Sequence, residues 1–116
     1  MSLYACTVDG STFALSSAQI DDARAVGPAL VELSASAARN IGADIDAGEP
    51  VQVPGMTPHA EARRFLLTGK HPDGSVLVEH VTVFARGTRV YQAVVAGPRP
   101  DAEVVQTFFS NVRLDL

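Results

Sequence analysis

The residues able to carry chemistry in this 116-residue chain are His59, His71 and His80, a lone Cys6 and a scatter of carboxylates. A metal centre needs two or more ligands on one face, steadied by supporting carboxylates. His59 and His80 fall on neighbouring predicted strands with Glu61 and Glu79 beside them, whereas His71 falls in a turn. Solvated or core-edge histidines explain that pattern more simply than a metal does. Catalysis by Cys6 or by a serine would need a histidine base and an orienting acid, and no Gly-x-Ser-x-Gly elbow is present. Gly42, Gly48, Gly55, Gly69, Gly74, Gly87 and Gly97 are isolated, each accounted for by a turn, so no glycine-rich phosphate loop forms. Asp21-Asp22 suits the start of a helix, and Asp44 with Asp46 reads as a solvated loop. Arg63-Arg64 offers either part of an anion-binding patch or charge that protects a strand edge, and the second is the commoner use. No catalytic, cofactor-binding or metal-ligating residue is assigned.

Composition narrows the classes further. The net charge is −4, from 9 basic and 13 acidic residues, which leaves no electrostatic footprint for nucleic acid. A hydrophobic fraction of 47% against 19% charged is globular chemistry, not disorder. No apolar run approaches the ~20 residues that span a bilayer. A single cysteine excludes an intramolecular disulfide and a Cys-x-x-Cys knuckle, and fits a reducing compartment or a disulfide-free exported domain equally. Met1–Leu3 reads as a start added to the native chain and is set aside from the fold, leaving residues 4–116 as one domain. Leu3-Tyr4-Ala5-Cys6 resembles the end of a lipoprotein signal but lacks the apolar stretch before it, so Cys6 reads as a strand residue.

The elements that must position any site centre on Ser75–Pro98. Its Val, Thr, Phe and Tyr residues favour pleated structure, and Arg86-Gly87 predicts a two-residue turn. That turn sets Ala85 across from Thr88, Val83 from Val90 and Thr82 from Tyr91. One face then carries Val78, His80, Thr82, Phe84, Tyr91, Ala93 and Val95; the other carries Leu77, Glu79, Val81, Val83, Val90, Gln92 and Val94. Both faces are too apolar for an open sheet, so this is a central hairpin covered at least in part on both sides.

Upstream, Tyr4–Val8 and Ser11–Ser17 predict a hairpin about Asp9-Gly10. Gln19–Val26 predicts a short turn or helix, and Pro28 opens a main helix to about Asn40, with Gly42 as its cap. Glu49–Val53 reads as a short strand, His59–Gly69 as another centred on Phe65, Leu66 and Leu67, and His71-Pro72-Asp73-Gly74 as a turn. Strands over Glu61–Thr68, Ser75–Ala85 and Thr88–Ala96 thus form an antiparallel meander. A second helix from Pro100 or Asp101, with Val104, Val105, Phe108 and Phe109 on its apolar side, precedes a last strand at Asn111–Leu114. The order argues for an α+β domain with a largely antiparallel sheet.

Several of these residues carry a resemblance. Ala62-Arg63-Arg64-Phe65, then Arg89-Val90-Tyr91-Gln92-Ala93-Val94-Val95-Ala96-Gly97, then Phe108-Phe109-Ser110-Asn111-Val112-Arg113-Leu114 is similar to small bacterial domains with an "R-hydrophobic-Y-x-hydrophobic-V-V-x-G" strand and a helix ending "F-x-x-S-F-R-L". Asn111-Val112 departs from that ending. Such domains resemble the fold of the photosystem II extrinsic protein PsbP and of a Ran-binding nuclear import factor, an antiparallel sheet covered by helices. The resemblance implies a binding or assembly protein, extracytoplasmic, with no shared catalytic set and with an opening strand ahead of the Asp9-Gly10 hairpin.

Three functions are therefore weighed. The first is a non-enzymatic binding or assembly domain for a protein partner, with homodimerisation as an option through an incomplete sheet edge. The second is a carrier of a small apolar ligand, held between the Pro28–Asn40 helix and the sheet by Leu30, Leu33, Phe65 and Tyr91. The third is an enzyme, which would show convergent polar groups of perturbed pKa in a cleft.

Overall fold

A computed structural model describes residues 2–8 and 11–97 of the chain. The predicted helix from Pro100 or Asp101 and the strand at Asn111–Leu114 lie outside them. Among the described residues six strands make one antiparallel sheet: β1 Ser2–Val8, β2 Ser11–Gln19, β3 Glu49–Pro50, β4 Arg63–Lys70, β5 Val76–Arg86 and β6 Arg89–Gly97. Their order across the sheet is β1-β2-β6-β5-β4-β3. The class is α+β, as predicted, and β5 and β6 are the central pair. Ser2 and Leu3, set aside in the sequence, belong to β1 and pair with Ser17 and Ser16.

The β5–β6 turn sits one residue further along than predicted. Phe84 faces Tyr91 and Arg86 faces Arg89, so Gly87-Thr88 occupies the tip. Gly87 takes φ 58°, which at the first turn position would strain Arg86 but not glycine. Moving a two-residue turn by one position shifts the register by two, and a shift of two keeps every side chain on its face. The two predicted faces therefore stand although the predicted pairs do not.

The main helix, α1, runs Val26–Asn40 behind a 3-10 turn at Ala23–Ala25. Pro28 lies in its first turn, where an N–H has no intrahelical partner to lose. Asp22 opens the 3-10 turn by accepting from the Arg24 N–H at 2.8 Å. Val26, Leu30, Ala37, Ala38 and Ile41 pack on Phe65, Leu67, Val81, Val83, Ala85 and Val90. Ser34 is buried in the same stripe, its hydroxyl donating to the Leu30 carbonyl at 3.1 Å. Full burial of Leu30 alone contributes about 1.5–3 kcal/mol.

The opposite face holds two further clusters. Phe13, Leu15, Ala93 and Val95 form one. Val53, Ala62 and Phe84, with Val51, Met56 and Tyr91, form the other. Thr57 ties the covering loop to the hairpin tip: its N–H donates to the Ala85 carbonyl, and its Oγ1 accepts from the Gly87 N–H, both at 2.8 Å. Two predicted strands are shorter than read. His59–Ala62 is a turn, closed by the Ala62 N–H donating to the His59 carbonyl at 3.1 Å and the Glu61 N–H to His59 Nδ1 at 2.9 Å. Past Pro50, the Val53 N–H turns to Met56 Sδ at 3.1 Å, ending β3 after two residues.

The helix end meets β4 backbone to backbone. The Lys70 N–H donates to the Ile41 carbonyl at 3.0 Å. A Cβ at Gly69 would drive into that carbonyl oxygen and stand 2.8 Å from its carbon. Gly69→Ala is expected to lower the stability read from urea unfolding by about 1–3 kcal/mol, against a few tenths for Thr68→Ala on the exposed side of the same strand.

Candidate functional site

The structure disperses the candidate chemistry. His59 lies in the turn before β4, where a Cβ on Gly27 of α1 would come within 3.1 Å of its ring. His71 opens the β4–β5 turn, its N–H donating to the Ser75 carbonyl. His80 lies mid-strand in β5, across from Leu66 and Val95. Cys6 registers with Phe13 at the other side of the sheet. Among the described residues no group of three or more His, Cys, Asp or Glu converges.

Among the described residues, Glu79 and His80 are the groups whose titration burial chiefly perturbs. Burial raises the Glu79 carboxyl above its ordinary value. Burial, and then the nearby Arg64 charge, lowers His80. As sequence neighbours on one strand they point to opposite faces, so the sheet itself separates them and they cannot share a proton. Of the arginine pair, Arg63 faces the helix side and binds the carbonyls of Ala60 and Ala47 at 3.0 and 3.3 Å. Arg64 faces the other side and reaches Thr82 Oγ1 at 3.4 Å. Both are half-buried. Asp46 closes its own loop, accepting from the Gly48 N–H at 2.8 Å.

The predicted ligand cavity is not formed from the residues expected. Leu30 is sealed in the helix–sheet core. Tyr91 lies on the far side of the sheet, stacked on Phe84 with ring centroids 5.2 Å apart. Alternation required this, since Tyr91 pairs with Phe84 rather than with the row carrying Val81 and Val83. A different cleft of about 330 Å³ opens at the flank of α1, lined by Val31, Ser34, Ile45, Ala47, Arg63 and Phe65 among others.

A second feature had little sequence signal. Along β4 the even residues turn their N–H and C=O away from β5: Ala62 accepts from Val51, Arg64 pairs with Glu49, and Lys70 donates to Ile41. Leu66 and Thr68 lie between these ties with the same orientation, and no described residue bonds their outward backbone groups. The segment from Gly42 to Gly48 leaves the edge at Ile41 and rejoins it at Glu49, passing on the helix side, where Ala43 packs on the core. Beside this bare edge Leu66 is 60% exposed, and Val76 on β5 is 50% exposed on the same face. Lys70, Thr68, Val78 and His80 complete that corner.

Compared with known proteins, the chain matches no family model and no curated sequence. No helix among the described residues is long and apolar enough to cross a membrane.

The two perturbed groups give opposite pH signatures. The native state holds the Glu79 proton more tightly than the unfolded chain, so its contribution is full below about 4.5 and is lost as pH rises through the raised value. Glu79→Gln is expected to raise the melting temperature at pH 7 and to leave it nearly unchanged at pH 4. His80 binds its proton less tightly when folded, so stability falls as pH drops through 6.5 towards the lowered value. His80→Gln is expected to flatten that fall in thermal melts between pH 7 and 5.

Proposed function

We propose that this domain is a non-enzymatic binding or assembly module that engages a protein partner at the outer edge of β4. The observation that carries this reading is the pair of outward backbone positions at Leu66 and Thr68 that no described residue bonds, beside the exposed side chains of Leu66 and Val76. A bare strand edge with apolar residues beside it is a template for another chain, and folded proteins ordinarily cover one. The PsbP-like resemblance of the Ala62-Arg63-Arg64-Phe65 and Arg89–Gly97 sequences adds the expectation of a binding role outside the cytoplasm, without supplying a catalytic set.

The test is site-specific photo-cross-linking in the native host. A photoreactive residue at Leu66 or Val76 is expected to yield a discrete adduct with a protein. The same residue at Glu32 or Arg39, exposed on the outer face of α1, is expected to yield none. Equal labelling at all four positions, or none at Leu66 and Val76, overturns the reading.

The flank cleft favours one second reading, a carrier of a small apolar ligand. Its volume of about 330 Å³ is at the lower end for ligand sites, and Ile45 at its lip is 40% exposed. If this reading holds, anilinonaphthalene sulfonate gains fluorescence on the wild type and loses most of that gain with Ile45→Glu. Absence of the gain removes the carrier.

A further inference from the structure

We infer that the β4 edge takes up a short extended peptide as an added strand, with an acidic residue across from Thr68 and an apolar residue across from Leu66. The inference rests on the partner-binding reading and specifies its chemistry. The slot is bounded at one end by Ile41, bonded to Lys70, and at the other by Glu49, paired with Arg64. Between those ends only Leu66 and Thr68 offer outward N–H and C=O groups, so an added strand gains its hydrogen bonds at these two positions. Both ends being closed in the plane of the sheet, the occupant must enter and leave out of that plane. A short strand or chain terminus can do this.

Charge selects the occupant. On the open face of β4 and β5 the charged or titratable side chains are Arg64, Lys70, His80 and, away at the hairpin tip, Arg86, in a chain whose net charge is −4. Glu49 stands across from Arg64, so among the described residues the uncompensated positive end is at Lys70. A carboxylate across from Thr68 lies on the diagonal to Lys70, within reach of that long side chain. The residue across from Leu66 lies over the exposed Leu66 side chain, where an apolar group removes surface from water. A second copy fits the slot badly. Antiparallel pairing centred on the two free positions sets Lys70 directly across from Arg64 of the other copy, and like charges so placed are destabilising. The second β4 would also bring its own Ile41 and β3 against the closed ends.

The probe is the capped peptide Thr-Glu-Thr-Val-Thr, titrated into the isotope-labelled full chain, with its Lys-for-Glu counterpart as control. The expected result is amide shift change and slowed hydrogen exchange at Leu66 and Thr68. The Lys peptide is expected to bind about two- to fivefold more weakly, with the difference shrinking as salt rises. No perturbation of those two amides at millimolar peptide, or equal binding of both peptides, overturns the inference. So does protection of Leu66 and Thr68 that grows with protein concentration in the absence of peptide, which would make a second copy the occupant. If the peptide fails while cross-linking at Leu66 still captures a protein, strand addition falls and the partner-binding reading stands. If cross-linking fails as well, both fall.

Discussion

The contact between Gly69 and the backbone of Ile41 governs how the rest of the molecule is arranged. Side chains ordinarily keep the main chains of a helix and a sheet apart, but here a missing Cβ lets the helix end and the strand touch through their main chains. The small face of α1 at Ser34, Ala37 and Ala38 is matched to that closeness. From Ile41 the chain is already at the outer edge of the sheet, and it next rejoins that edge at Glu49. Had Gly42–Gly48 paired with β4, the sheet would end in a full sixth strand. It runs on the helix side instead, and a gap in the edge is the result.

The two faces of the sheet differ in kind. The helix side is one continuous apolar layer in which Glu79 is the poorly solvated intruder. The other side is divided into patches: aromatic stacking at the hairpin tip, a small cluster about Phe13, and an open corner with positive charge. Charges at a strand edge normally discourage self-pairing. At β4 the same charges also discriminate among incoming strands, since what repels an identical edge attracts an acidic one.

Much of this architecture was legible in the sequence because alternation is robust. The faces of β5 and β6 were assigned correctly with the turn misplaced, since the error moved pairs by two and left parity intact. The start of α1 was read two residues late, because Pro28 marks a first turn without saying which residue of it. His59–Ala62 was read as strand because its backbone bonds run to its own neighbours through the His59 ring nitrogen, a local closure that residue type does not announce. The free edge had no signature at all. Leu66 reads as the apolar centre of a strand, and its exposure depends on where a loop of ordinary composition happens to pass.

The placement of the first hairpin against β6 also bears on how the chain is made. Residues 12–19 pair with residues 89–96, so β2, near the start of the described residues, bonds to β6, the last strand of the described sheet. The helix and the β4–β5–β6 meander are built from contacts between near neighbours in sequence, whereas the β2–β6 seam closes a loop spanning most of the chain. Closing that seam therefore costs more chain entropy than any pairing within the meander. Until β6 is in place, the edge of β2 that pairs with it lacks its partner.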